Sequence, residues 1–293
     1  MRVGVALPIG ERGPEKKAHP YAELREMAMA AEEGGADSIW VADHLFYEND
    51  GDLRGMWESM SVLAALADAT TRVELGPLVM CVPFRNPGLI AWMCNTIDEI
   101  SGGRFVVGLG SGWHEPEFAG FDFNFARRVS VFDESLQVVV PLLREGKSNF
   151  QGAFVKGVAE LRPAGPRATN GGPPILIAGT KPRMMSLIAK YADRWNSVWY
   201  GLPTDEFRGE RRDLEAACAA ISRDPNEIEV SAGIIVANEA GTNDTEHLYG
   251  DVEQIAEGLK AWRAEGVTEV MCAMQPPSVD LVGKITDAAK QVR

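Results

Sequence analysis

The sequence predicts an α/β protein, a (β/α)8 barrel of the TIM type built as a single domain over residues 1–293. Three observations predict it. Strand-like and helix-like segments alternate along the chain, giving eight strand–helix units. Three joins share one pattern of helix, small residue, acidic residue and strand: AEEGGADSIW, AKYADRWNSVW and RAEGVTEVMC. Such recurrence fits equivalent units around a closed barrel better than an open sheet. The rival is a doubly wound sheet, whose usual GxGxxG after the first strand is missing; Pro8 and Gly10 stand there instead.

The elements follow in order. Arg2 to Leu7 reads as the first strand, and a helix from Tyr21 to Glu33 ends at Gly34 and Gly35. Ser38 to Ala42 is the second strand, followed by an Ala-rich helix from Trp57 to Ala69. Val73 to Cys81 is the third, where Gly76 and Pro77 inside an apolar run suggest a bulge. Pro87 to Ile100 is a helix that Asn86 can cap. Arg104 to Leu109 is the fourth strand, short and apolar as expected of one covered on both faces. A helix from Val129 to Arg144 holds Pro141, a kink site. Residues 146–174 then break the alternation, being rich in Gly and Pro, and read as a short insertion after the fourth unit with room for a hairpin around NFQGAFV. The pattern resumes with Ile175 to Gly179, a helix from Pro182 to Tyr191, and a sixth strand from Trp195 to Trp199. Thr204 to Ser222 is helical, Ile228 to Ala237 the seventh strand, Val252 to Glu265 helical, Glu269 to Met274 the eighth strand and Ser278 to Val292 the last helix.

Composition narrows the function. Hydrophobic residues at 45% and charged residues at 24% sustain a sizeable core. A net charge of −13 argues against a nucleic-acid partner, because phosphate contact needs a basic surface, but leaves room for a local basic pocket. Cys81, Cys94, Cys218 and Cys272 are scattered with neither Cys-x-x-Cys nor metal-ligand spacing. Buried free thiols, no metal site and a reducing cytoplasm are the expectation. The N-terminus reads as a strand rather than a signal peptide, and no apolar run approaches the ~18 residues of a membrane span, so no membrane partner is expected.

In a barrel the chemistry lies just after the strands. The second strand leads to Asp43 and His44; a histidine there suits proton transfer, and the adjacent Asp can orient its ring or hold a loop. Arg85 after the third strand suits a phosphate, a carboxylate or an ordinary surface ion pair. The most informative stretch is GGRFVVGLGSGWHEPEFAGFDF, Gly102 to Phe123. Gly108, Gly110 and Gly112 remove side chains at every second residue and let a flat or phosphorylated ligand approach the backbone. Trp113 either anchors the loop on the barrel rim or stacks on a flat ring system. His114 and Glu115 are candidate acid–base groups. After the fifth strand come Ala178, Gly179, Thr180, Lys181, Pro182 and Arg183. This is either a phosphate site on a helix N-terminus or a plain helix start.

Taken together, WVADH, GPLVMCVPFRNPGLIA, the Gly102 to Phe123 stretch and PPILIAGTKPRMMSLIAKYADRWN make the chain resemble the bacterial luciferase-like superfamily of flavin- and deazaflavin-dependent oxidoreductases. The resemblance implies a barrel with an insertion and a cofactor ring over the strand C-termini. It implies a non-proline cis peptide near Leu78 and Val79 behind the ring, and a catalytic pair at Asp43 and His44. Ser111, Gly112 and Trp113 would contact the cofactor, and Ala178, Gly179, Thr180 and Arg183 would receive its phosphate. The deazaflavin-dependent sugar dehydrogenases of the family carry a catalytic Glu where Trp113 stands here. Glu115, two residues later, is the candidate replacement, and sugar-phosphate oxidation is not expected.

The branch with GWHEPEF is generally assigned to coenzyme F420. The leading expectation is therefore an F420-dependent oxidoreductase moving a hydride between the deazaflavin and a small or medium organic substrate, with His44 managing the proton. The alternative is an FMN-dependent monooxygenase using reduced flavin and oxygen. A non-redox or binding-only phosphate barrel is the remaining reading; Schiff-base chemistry would need a lysine in a strand, and the lysines fall in loops or helices. A homodimer is expected, with Ser59 to Ala69 as a surface for it, although that stripe equally suits packing on the barrel. Substrate choice is expected to rest on loop shapes and on the insertion at residues 146–174.

Overall fold

A computed structural model describes residues 1–239 and 247–293. In chain order, β1 (Arg2–Leu7), α1 (Tyr21–Gly34) and β2 (Ser38–Val41) are followed by a hairpin of β3 (Phe46–Asn49) and β4 (Asp52–Gly55). Then come α2 (Ser59–Ala69), β5 (Glu74–Pro77), β6 (Met80–Cys81), α3 (Pro87–Ile100), β7 (Val107–Gly110), α4 (Glu115–Gly120) and α5 (Arg128–Glu145). A second hairpin, β8 (Lys147–Gln151) and β9 (Lys156–Glu160), precedes β10 (Ile175–Ala178), α6 (Pro182–Tyr191), β11 (Arg194–Tyr200), α7 (Asp205–Ala220) and β12 (Glu229–Ala237). The short β13 (Leu248–Tyr249), α8 (Val252–Ala264), β14 (Glu269–Gln275) and α9 (Val279–Lys290) complete the fold.

The main sheet runs β5-β2-β1-β14-β12-β11-β10-β7-β6, every pair parallel. Its two ends meet. Leu75 of β5 bridges Phe105 just before β7, with the Val106 N–H donating to the Leu75 carbonyl at 2.9 Å. β5 and β6 are thus one barrel strand in two pieces, and the expected (β/α)8 barrel is present. β2 and β7 are buried at every residue, because strands lining a closed barrel are covered by side chains inside and helices outside. Trp40, Leu78, Val106, Leu176 and Met271 fill the interior as a cluster of their own, separate from the larger layer between strands and helices.

The break between β5 and β6 explains the glycines of β7. The Leu78–Val79 peptide is cis. A Cβ on Gly108 would lie 1.9 Å from the Pro77 carbonyl oxygen, and one on Gly110 would lie 2.6 Å from a methyl of Val79. The cleared space is therefore occupied by the neighbouring strand, not by an approaching ligand.

Six residues of α2, Ser59, Met60, Val62, Leu63, Leu66 and Ala67, are buried within the chain, so the stripe over Ser59–Ala69 packs on the barrel. All four cysteines are free and buried. Among the described residues no helix is long and apolar enough to cross a membrane.

The N-terminal end of the barrel is closed by charge. Arg194 pairs with Glu74 at 2.7 Å, Glu229 at 3.0 Å and Glu269 at 3.7 Å, and Arg2 pairs with Glu229 and Glu269. Glu269 is fully buried, accepts a hydrogen bond from Ser38, and is pushed up in pKa by its burial.

The insertion takes an unexpected place. Its β8–β9 hairpin packs on α5, where the Glu134 carboxylate accepts hydrogen bonds from the Ala153, Phe154 and Val155 N–H groups. Further along, Arg167 reaches Asp98 and the Phe105 carbonyl, near the N-terminal end of β7. The insertion runs down the outer wall, away from the barrel mouth.

Candidate active site

The C-termini of β2, β6 and β7 bring four side chains together. β2 ends at Val41, and its continuation delivers Asp43 inward and His44 to the mouth. Asp43 is buried and fully engaged. It accepts from Ser59 Oγ at 2.6 Å, from the Cys81 N–H at 2.8 Å, and from both terminal nitrogens of Arg85 at 2.6 and 2.8 Å. Asp43 therefore holds the loops after β2 and β6 together and does not touch the His44 ring. Arg85, which also reaches Glu58 at 2.9 Å, is committed to carboxylates.

The group that orients His44 is Glu117. Its Oε2 lies 2.7 Å from His44 Nδ1, while its Oε1 accepts the Leu45 N–H at 2.6 Å. Glu117 is buried on α4, which starts with Pro116 in its first turn. A carboxylate accepts only, so the proton of this bond sits on Nδ1 and Nε2 is left as the basic nitrogen. His44 retains 19% side-chain exposure, enough to meet a ligand.

The neighbouring candidates divide. Glu115 opens α4 on the exposed side and, among the described residues, hydrogen-bonds to neither His44 nor Asp43. His114 is buried, accepts the Glu48 N–H at 3.0 Å through Nε2 and stacks on Tyr47 at 4.8 Å, so it fastens the β3–β4 hairpin. Trp113 is 61% exposed and meets the His44 ring edge-on at 5.6 Å. Ser111 is half-buried, and the Gly112 carbonyl accepts from Arg128 Nε at 3.1 Å. Leu78 and Val79 join the interior cluster at the upper end of the barrel.

Across the mouth, Gly179 follows β10 and its carbonyl accepts from the Trp195 indole at 2.9 Å. Ala178 and Thr180 are half-buried. α6 begins at Pro182 with no side-chain cap, as do α1, α4 and α5, whereas α2, α3, α7, α8 and α9 are each capped by a side chain. Its first N–H groups are thus open to an acceptor. Arg183 leans outward to Ser130 at 3.1 Å and Asp133 at 3.3 Å. Asn196 points into the barrel and donates to Ser231, and Ser197 hydrogen-bonds Tyr200 and Glu210.

A cavity of about 660 Å³ opens next to the loop after β2, which contributes Ala42 and Tyr47 to its lining but not His44. Leu7 to Gly13 after β1 form one wall, and Tyr47, Asn49, Asp52 and Arg54 of the β3–β4 hairpin form the other. Tyr47 is shared, its ring lying 6.1 Å from that of His44. Reasoning from sequence missed both Glu117 as the partner of His44 and this hairpin. The Asp50-Gly51 dipeptide, a turn signal, was the cue to the hairpin.

The family model described as luciferase-like monooxygenase matches residues 1–248. The chain belongs to the luciferase-like monooxygenase family. Similar curated proteins include a pyrimidine monooxygenase RutA of Methylorubrum extorquens, 32% identical over 243 residues that cover 76% of this chain and 62% of that protein. RutA of Variovorax paradoxus is 33% identical over 215 residues, covering 66% of this chain and 55% of its own length. The chain thus spans about three fifths of the curated relatives it matches. Among solved structures, an F420-dependent secondary alcohol dehydrogenase in complex with an F420–acetone adduct superposes with a TM-score of 0.81 at 16% identity, covering 100% of this chain and 99% of the other. The F420-dependent tetrahydromethanopterin reductase of Methanopyrus kandleri gives 0.79 at 18% identity, covering 98% and 97%. These likenesses establish the luciferase-like barrel.

Proposed function

We propose that this luciferase-like protein is an oxidoreductase that works with a flavin-type cofactor at the barrel mouth, most simply as an FMN-dependent monooxygenase of a small organic molecule. The observation that carries the reading is the His44–Glu117 pair, an imidazole at the barrel mouth fixed by a buried carboxylate, with Tyr47 between it and an open cavity. Sequence identity to the RutA monooxygenases supports the monooxygenase reading, for which a reduced flavin such as FMN is the matching cofactor. The motif resemblance around Gly102 to Phe123 favours a second reading, hydride transfer with coenzyme F420.

The residues present fit either group. Leu78 and Val79 supply an apolar ledge over the packed interior, Ser111, Gly112 and Trp113 border it, and the uncapped start of α6 with Ala178, Gly179 and Thr180 offers N–H groups to a phosphate. When bound, the cofactor supplies the redox chemistry. His44 takes or gives a proton at Nε2, Glu117 fixes its tautomer and stabilises the imidazolium, and Trp113 screens the ring from water on one side. Arg183 would have to leave Ser130 and Asp133 to reach a phosphate, and the backbone N–H groups are the better ligands.

Titration of the purified chain with FMN and with F420, followed by tryptophan fluorescence, tests the proposal. Micromolar FMN binding at least about tenfold tighter than F420 supports the monooxygenase. The reverse order selects the deazaflavin reading, and binding of neither overturns both.

A further inference from the structure

The cavity that Tyr47 separates from His44 has a graded lining. Leu7, Ile9, Ala42 and Met56 make its inner part apolar, and Tyr47 presents a ring. The outer rim carries Glu11, Arg12, Asp52 and Arg54. Three of these four are satisfied within the fold. Arg54 donates to both Asp52 and the Gly13 carbonyl, Asp52 also receives Lys16 at 2.8 Å, and Glu11 accepts the Gly55 N–H at 2.7 Å.

Arg12 differs. Among the described residues its guanidinium has neither an ion pair nor a hydrogen bond. Its backbone is nonetheless fixed, because its N–H donates to the Lys17 carbonyl at 3.0 Å and its carbonyl accepts from the Lys17 N–H at 3.2 Å. The side chain is exposed to water but set in a concave wall, and the surrounding protein lowers its pKa with no carboxylate to restore it. A backbone-fixed loop thus sets an exposed guanidinium with all its donors spare on the cavity rim, where it can receive an anion.

Topology places this element. In the barrel ring β1 lies four positions from β10 in either direction, so the loop after β1 faces the uncapped α6 start across the mouth. One end cannot serve both a phosphate beside α6 and a charge beside Arg12 unless the ligands differ. We propose that Arg12 is a specificity-determining residue and that the cavity takes a carboxylate-bearing organic substrate, its apolar body against Ile9, Tyr47 and Met56 and its carboxylate on Arg12. This rests on the reading of His44 as the reacting end of the site; the anion subsite itself does not.

Calorimetry with benzoate, phenylacetate and octanoate, each against its primary amide, tests the proposal on the full chain. At least one acid should bind about tenfold more tightly than its amide. Arg12→Met should cut that preference to below about twofold, and Arg12→Lys should restore part of it. FMN and F420 titrations of the same variants should match wild type, which also shows that they fold. If no acid exceeds its amide by about threefold, or if Arg12→Met keeps the preference, the proposal is overturned. An acid preference in a chain that binds neither cofactor would keep the subsite and remove the redox reading; cofactor binding without acid preference would do the opposite.

Discussion

The two ends of the barrel use polar residues in opposite ways. At the N-terminal end Arg2 and Arg194 meet Glu74, Glu229 and Glu269, and Ser38 and Trp40 join the cluster, with Arg2 Nε the one buried donor left without a partner there among the described residues. At the C-terminal end the groups keep spare valences: His44 has a free Nε2, α6 lacks a cap, and Arg12 has no partner among the described residues. Closed valences make a plug, and open ones make a site. Barrels separate stability from chemistry in this way because the strand C-termini carry loops that can vary, whereas the other end must seal the interior.

The largest effects should separate the two ends. Arg194→Ala strips Glu74 of its bidentate partner and Glu229 of a second arginine at a buried position, and should cost about 3 kcal/mol of stability. In urea unfolding the midpoint should fall, while cofactor affinity of the folded fraction stays at the wild-type value. His44→Ala should do the reverse, lowering turnover by roughly 10²–10⁴-fold with little change in the urea midpoint. A large stability loss in His44→Ala, or a cofactor defect in folded Arg194→Ala, would erase the contrast.

A smaller effect distinguishes Glu117 from Glu115. Glu117→Gln can still accept the Leu45 N–H, but it no longer stabilises a charged imidazole. Turnover should drop on the order of 10- to 100-fold, the range for losing a group that orients a histidine. Because the loss is one of orientation, His44→Ala should be no more damaging when combined with Glu117→Gln than alone. Glu115→Gln should leave the rate unchanged. If the two variants behave alike, Glu117 is not the positioning residue.

Why one carboxylate was legible and the other was not has a physical answer. Element limits could be read closely where burial is written as an apolar pattern: the strand Arg2–Leu7 and the helix Pro182–Tyr191 match to the residue. The Phe46–Gly55 hairpin carries half-exposed residues with no alternation, so it has no such signature. Glu115 and Glu117 sit two apart in one short stretch, and only the turn of α4 decides which is buried against His44. Gly108 and Gly110 signalled close approach correctly but not of what: the space serves the Pro77–Val79 segment. The insertion at residues 146–174 was expected to shape the substrate site, yet Glu134 and Asp98 tie it to the outer wall. The shorter hairpin at Phe46–Gly55 lines the cavity instead.

The subtlest test concerns the plug, where two guanidinium groups face three carboxylates. Burial raises the Glu269 pKa in the folded chain, with Arg2, Ser38 and Arg194 opposing the rise. The unfolded value is about 4.3. A carboxyl raised on folding contributes stability that is fully present below that value and is lost as pH climbs through the folded pKa. Glu269→Gln removes this loss while keeping an acceptor for Ser38 and leaving one carboxylate for each arginine. Glu32, whose pKa is lowered on folding by remote backbone bonds, loses its contribution as pH falls equally in both proteins and cancels. Glu229, also lowered, shares Arg2 and Arg194 with Glu269 and gains fuller use of them in the variant, which adds to the margin above its own pKa. Glu269→Gln should therefore match wild type at pH 4 and exceed it by a growing margin as pH rises, reaching roughly 2–4 °C in Tm, or about 1 kcal/mol, by pH 8. A variant less stable than wild type at pH 8 would mean that the third carboxylate is ionised and needed by the arginines, and that the plug is held by its charges rather than in spite of one.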